Sequence, residues 1–259
     1  MRSALSIAVF LFVFVSKTYA QEVDLVRLGY SAVTSKQTNM AVSGDGNFIA
    51  LTYADKTIKI FDVKTNRFIK KFTGPYPAMF DVQLTATGKI VFVSLFEVQI
   101  WDWKKETVLA TLKLPFEASK TAFSAKHNLL AVGQREGRVT IFNVEKAIQV
   151  NEISYKMHHV SALTIHPNGK SVVVGVMTFF KGANPLKQFE IATGKELASS
   201  PEGIYSMVAY NDAGTELVAS GMNAIGMKTV LMVFDPSNLS LKKQSGMDII
   251  IANALIPYG

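Results

Sequence analysis

The sequence predicts an all-β fold assembled from repeated four-stranded antiparallel units. Three observations carry this. An aromatic residue followed by a polar turn residue recurs as Phe61-Asp62, Trp101-Asp102, Phe142-Asn143, Phe189-Glu190 and Phe234-Asp235, at spacings of 40, 41, 47 and 45 residues. A turn residue tolerant of left-handed backbone recurs ahead of each pair, at Gly46, Gly88, Asn128, Gly169 and Gly214, and once more at Gly259. Between these marks lie short apolar or alternating runs rich in β-branched residues, which suit strands rather than helices.

Residues 40–72 show the unit most plainly. Ser43-Gly44-Asp45-Gly46 is a turn signal, because Asp bonds its own backbone and Gly accepts positive φ. Phe48–Leu51 is a continuous apolar run, the mark of a strand covered on both faces. After a turn at Ala54-Asp55-Lys56, Thr57–Phe61 alternates, and Asp62 opens the next turn. Residues 67–72 make a fourth, more polar strand. Such a meander cannot bury both its faces alone and needs copies on either side.

Chain-wide properties bound the reading. The 259 residues are 49% hydrophobic and 18% charged, ample material for a globular core. Residues 1–20 read as a secretory signal peptide: Arg2 is the basic start, residues 7–15 the apolar centre, and Thr18-Tyr19-Ala20 the cleavage site. That apolar run is shorter than the ~20 residues a transmembrane helix needs, so no membrane span is expected. An exported chain with no cysteine rests on its core rather than on disulfides, which fits a periplasmic or secreted protein. The basic excess is spread over Lys70-Lys71, Lys104-Lys105 and Lys242-Lys243, as edge protection. No basic stripe with interleaved aromatics is present, so no nucleic-acid partner is expected.

At this point the residues carry a resemblance. Ile-Trp-Asp at 100–102 and Ile-Phe-Asp at 60–62 resemble the WD dipeptide of WD40 repeats, and Gly74-Pro75-Tyr76-Pro77 resembles the Gly-Pro loop of YVTN-type repeats. His166-Pro167-Asn168-Gly169 resembles the turn between the first two strands of such repeats. The resemblance covers roughly residues 23–259. It implies a β-propeller of four-stranded antiparallel blades, five blades plus an incomplete closing blade. The blades fall near 38–73, 78–114, 119–155, 159–200 and 203–245. Residues 23–29 read as an outer strand and 249–257 as an inner strand of the incomplete blade. A five-bladed ring with two extra strands is the alternative. The Gly-His pair of strict WD40 blades is absent, so Asp62 and Asp102 are expected to cap turns rather than join a side-chain tetrad.

No catalytic constellation is present. The carboxylates cluster nowhere, and neither a nucleophile elbow nor a phosphate-binding motif occurs. His158-His159 lacks neighbouring acidic ligands, so no metal and no cofactor is expected. The irregular feature is loop length. Residues 177–184 and 222–228 lengthen the connections between second and third strands in blades 4 and 5. In propellers those loops share a face with the connections between blades. They bring Met177, Phe179, Phe180, Met222, Ile225 and Met227 beside Tyr76, His158 and Tyr205, an expected partner-binding sector. The function this implies is a non-catalytic protein-interaction scaffold in an exported compartment. The alternatives are a propeller enzyme of lactonase-like or quinoprotein-like type, or a ligand-sensing propeller.

Overall fold

A computed structural model describes residues 35–77, 79–155, 158–177, 184–223 and 229–246. The segments read as signal peptide and as parts of an incomplete blade lie outside these residues. Four successive antiparallel strands form unit 1: β1 (Gln37–Val42), β2 (Phe48–Tyr53), β3 (Thr57–Asp62) and β4 (Arg67–Thr73). Unit 2 is β5 (Asp81–Leu84), β6 (Lys89–Val93), β7 (Glu97–Asp102) and β8 (Thr107–Lys113). Unit 3 is β9 (Ala118–Ser124), β10 (Leu129–Gln134), β11 (Arg138–Asn143) and β12 (Ile148–Ser154).

The fourth sheet departs from the expected pattern. It has seven strands: β13 (His159–Ile165), β14 (Ser171–Met177), β15 (Asn184–Glu190), β16 (Glu196–Tyr210), β17 (Leu217–Asn223), β18 (Thr229–Phe234) and β19 (Leu241–Gly246). Here β16 runs through the boundary expected near residues 200–203 and serves as the last strand of unit 4 and the first of unit 5. Pro201 and Gly203 do not break it. Gly203 pairs with Asn184 on one side and with Asn223 on the other.

Sequence explains the local geometry. In the first turn Phe48 N donates to Ser43 Oγ (2.9 Å), Ser43 Oγ donates to Asp45 Oδ1 (2.6 Å), and Gly46 sits at φ 70°. The residue at this place has positive φ in all five units: 70° at Gly46, 90° at Gly88, 53° at Asn128, 71° at Gly169 and 70° at Gly214. The polar residue of each recurring pair caps the following turn. Thr65 N donates to Asp62 Oδ1 (2.8 Å), Lys105 N to Asp102 Oδ1 (3.0 Å), Lys146 N to Asn143 Oδ1 (2.8 Å) and Ser237 N to Asp235 Oδ1 (2.9 Å). In unit 4 the Thr193 hydroxyl donates to Glu190 Oε2 (2.5 Å). The donated Thr65 and Lys105 amides hold the Asp62 and Asp102 carboxyls below their usual range.

Units pack face to face in chain order. Ala41, Ala50, Ile58 and Ile60 of unit 1 meet Leu84, Ile90 and Phe92 of unit 2. Val91, Val98 and Ile100 of unit 2 meet Leu130, Val132 and Phe142 of unit 3. Ala131, Val139 and Ile141 of unit 3 meet Leu163, Val172 and Val174 of unit 4. Ala162, Val173 and Leu186 of unit 4 meet Leu217, Ala219 and Phe234 of unit 5. The second strands of units 2 to 4 are buried on both faces because each lies between two neighbours. Among the described residues no hydrophobic cluster joins unit 5 to unit 1. The residue three before each recurring aromatic shows the effect: Ile58, Val98, Val139 and Leu186 are fully buried, whereas Leu231 of unit 5 is half-exposed.

Polar links cross between units near the start of their first strands. Asn39 Nδ2 donates to Met79 O (3.0 Å), Thr121 Oγ1 to Asp81 Oδ2 (2.6 Å), Ser119 Oγ to Val160 O (3.0 Å) and Ser161 Oγ to Tyr205 O (2.7 Å). Ser119, Ser161 and Ser206 are each the extra residue of a β-bulge, as Thr38 is in unit 1.

Candidate protein-interaction face

In a four-stranded meander the turn between the second and third strands and the connection to the next unit share one edge. Here backbone hydrogen bonds tie the two together. Leu114 N donates to Phe96 O (2.9 Å), Ala118 N to Leu95 O (2.7 Å) and Arg135 N to Glu117 O (2.9 Å). The edge of units 2 and 3 is thus a continuous, backbone-braced surface. Leu95 and Phe96 stand at its turn with 44% and 58% of their surface exposed. Beside them the Arg138 guanidinium lies 5.1 Å from the centre of the Phe116 ring, and Arg135 Nε pairs with Glu117 Oε2 at 2.9 Å. His159 continues the edge; burial, then Arg135, lowers its pKa below the ordinary histidine value. Exposed aromatic and apolar side chains next to arginine are the composition of protein contact surfaces.

The expected sector divides unevenly. Phe179, Phe180, Ile225 and Met227 lie outside the described residues. Met177 and Met222 are half-buried at the ends of β14 and β17, and His158 is half-buried before β13. Tyr76 is half-buried, packs on the cluster between units 1 and 2, and accepts a bond from Gln99 Nε2 (3.0 Å). Tyr205 requires correction. It is 1% exposed, its hydroxyl donates to Pro201 O (2.8 Å), and its ring meets Phe234 edge-on with centroids 6.0 Å apart. The uninterrupted β16 carries it into the core between units 4 and 5, so it cannot face a partner. Leu95 and Phe96 were not among the sequence candidates. The available signal was a short turn holding two bulky apolar residues where turn chemistry favours polar ones.

On the opposite edge a cavity of about 510 Å³ opens between units 3, 4 and 5, lined by Ser124, Lys126, Thr164, His166, Tyr210 and Asp212. Burial lowers the His166 pKa, and its ring lies 4.6 Å from that of Tyr210, centroid to centroid. Among the described residues no three His, Cys, Asp or Glu side chains are grouped to hold a metal, and no helix is long and apolar enough to cross a membrane.

No protein-family model matches the chain. It is similar to the WD repeat-containing protein VIP3 of Arabidopsis thaliana, with 26% identity over 165 residues, 56% of this chain. The match spans half the length of that relative. Among solved structures it is similar to a chain in the crystal structure of a mitotic checkpoint complex, with a TM-score of 0.66 and 16% identity. That match covers 84% of this chain and 67% of the other. The structural likeness is one of fold.

Proposed function

We propose that the chain is a WD40-like β-propeller acting as a non-catalytic protein-interaction scaffold, and that it docks its partner on the edge of units 2 and 3. The observation that carries the reading is the exposed Leu95-Phe96 pair, braced by backbone bonds and flanked by Phe116 with Arg138 over its ring. The WD repeats named in the VIP3 relative support the repeat class. The recurring turn caps and the stacking of units in chain order support the propeller arrangement. A photo-crosslinking residue at position 96 should trap one protein from extracts of the source organism, and the same residue at exposed Asp212 on the opposite edge should not. Replacing Leu95 and Phe96 by Ser should abolish that adduct without changing the melting temperature. Equal trapping at both positions would refute the assignment.

The scaffold reading places the protein outside the cytoplasm, supported by the composition of residues 1–20. Mass spectrometry of the secreted or periplasmic fraction should find a mature N-terminus at Gln21. A second reading, a ligand-sensing propeller, is favoured by the cavity of about 510 Å³, a size that suits small ligands.

A further inference from the structure

The edge opposite Leu95 and Phe96 holds the turns between first and second strands and between third and fourth strands. Along it, units 2, 3 and 4 set Lys104, Lys105, Lys126, Lys146, Lys170 and Lys195, all exposed. The carboxylates there are already engaged. Glu106, Glu145 and Glu196 pair with Lys70, Lys89 and Lys187, and Asp102 and Glu190 cap their own turns. Among the described residues only Lys105 of the six lysines pairs with a carboxylate, Asp102 at 3.6 Å. On the Leu95-Phe96 edge, by contrast, Lys113, Arg135 and Arg138 each pair with a glutamate. The unpaired positive charge of units 2 to 4 thus collects on one edge.

An apolar row runs beside these lysines. The fourth strand of each unit carries a β-bulge just after its opening turn, and the extra residue is Ile69, Leu109, Val150, Leu197 and Lys242 in turn. Charged side chains are the usual protection of an outer strand. Four of these five are apolar instead, and they are 42% to 51% exposed. Val108 and Ile148, near the start of the same strands, are 51% and 50% exposed. Units 2 and 3 are packed on both faces by described neighbours, and Val108, Leu109, Ile148 and Val150 stay exposed all the same.

We propose that this edge of units 2 to 4 binds the surface of an anionic lipid bilayer. Lys104, Lys105, Lys146 and Lys195 face the lipid phosphates, and Leu109, Val150 and Leu197 enter the headgroup boundary. Interfacial binding is strongest where apolar burial and attraction to anionic lipids act together. Here the turn between third and fourth strands places the two kinds of side chain within a few residues of each other in three successive units. A nucleic acid would use the lysines, but the exposed row is aliphatic and gives bases nothing to stack on. The Leu95-Phe96 edge stays turned to water, so a protein partner and the bilayer do not compete.

Flotation of the full chain with vesicles of equal parts phosphatidylcholine and phosphatidylglycerol tests the proposal, with pure phosphatidylcholine vesicles as the neutral control. Binding should need the anionic lipid and weaken with added salt. Lys105→Gln with Lys146→Gln should lower the vesicle affinity about twenty- to thirtyfold, at about fivefold per lysine. Leu109→Ser with Val150→Ser should lower it about tenfold. All four positions are exposed, so melting temperatures should be unchanged. The chain has no cysteine, so Val150→Cys offers a single site for an environment-sensitive fluorophore. Its emission should shift to the blue on anionic vesicles, and the same label at Phe96→Cys should not shift. Equal binding to both vesicle types, or binding that neither pair weakens, would overturn the proposal; residues 1–20 acting alone would give one or the other. Loss of binding in the lysine pair with none in the apolar pair would also overturn it, because that is the pattern of a general polyanion surface. So would a blue shift at position 96.

Discussion

Ser161→Ala tests whether the units are joined by specific polar links as well as by apolar burial. Ser161 is 4% exposed and donates to Tyr205 O at 2.7 Å, across the joint between units 4 and 5. Removing the hydroxyl loses a bond worth about 0.5–1.5 kcal/mol net and leaves a buried carbonyl short of a partner, which brings the cost to about 1–2 kcal/mol. Ser206→Ala is the internal control. It sits at the same bulge, is exposed, and bonds only its own sheet at 3.2 Å, so its loss should stay within about 0.5 kcal/mol. Urea titration should show a lower midpoint for Ser161→Ala at an unchanged slope, because no burial is altered. In a domain of this size the melting temperature should fall by about 2–8 °C. Equal effects of the two substitutions would show that the inter-unit bond adds nothing and that the bulges merely shape the strand.

A Cβ on Gly133 would lie 2.5 Å from Val160 Cγ1 across the joint of units 3 and 4. Gly133→Val should therefore cost about 1–3 kcal/mol by overpacking, measured by the same titration. Ala147 holds φ 56° in the turn between β11 and β12, so Ala147→Gly should raise stability by about 0.5–1 kcal/mol after allowing for the added chain entropy. Burial lowers the His166 pKa below its unfolded value of about 6.5, so the folded state prefers the neutral ring. That contribution is full above about pH 6.5 and is lost as pH falls through it towards the folded value. The melting temperature should thus drop between neutral pH and pH 5, and drop less in His166→Gln.

How much was legible in the sequence depended on whether a residue type announces its backbone. The turn between the first two strands was legible because Gly or Asn stands wherever φ is positive. The turn between the third and fourth strands repeats a positive φ just as faithfully, at Asn66, Glu106, Ala147, Gly194 and Leu239. There the residue types share nothing, because the flanking strand pairs impose the conformation. The blade boundary expected between residues 200 and 203 falls on Pro201 and Gly203, yet at a strand paired on both sides a glycine is simply a residue without a side chain to place. The expected boundary also put Tyr205 at a connection between blades, where the structure has the continuous strand β16. The alternation in β18 was visible, but which half of it is covered depends on a neighbouring unit, and so Leu231 could not be assigned a side from its spacing alone. The edge formed by the turns between second and third strands was legible as an edge; the exposed Leu95-Phe96 tip was not, because two residues in a short turn carry no periodic signal.

The shared strand β16 gives the series of units an uneven mechanical character. Parting units 1, 2 and 3 requires separating side-chain faces and a few polar links, while parting units 4 and 5 also requires tearing a strand out of a ladder on one of its sides. Under tension the units should therefore part first at one of the joints among units 1 to 4, before the joint of units 4 and 5. During synthesis, the residues that finish unit 4 emerge on the same strand that begins unit 5, so neither sheet edge is left waiting for a loop to bring its partner.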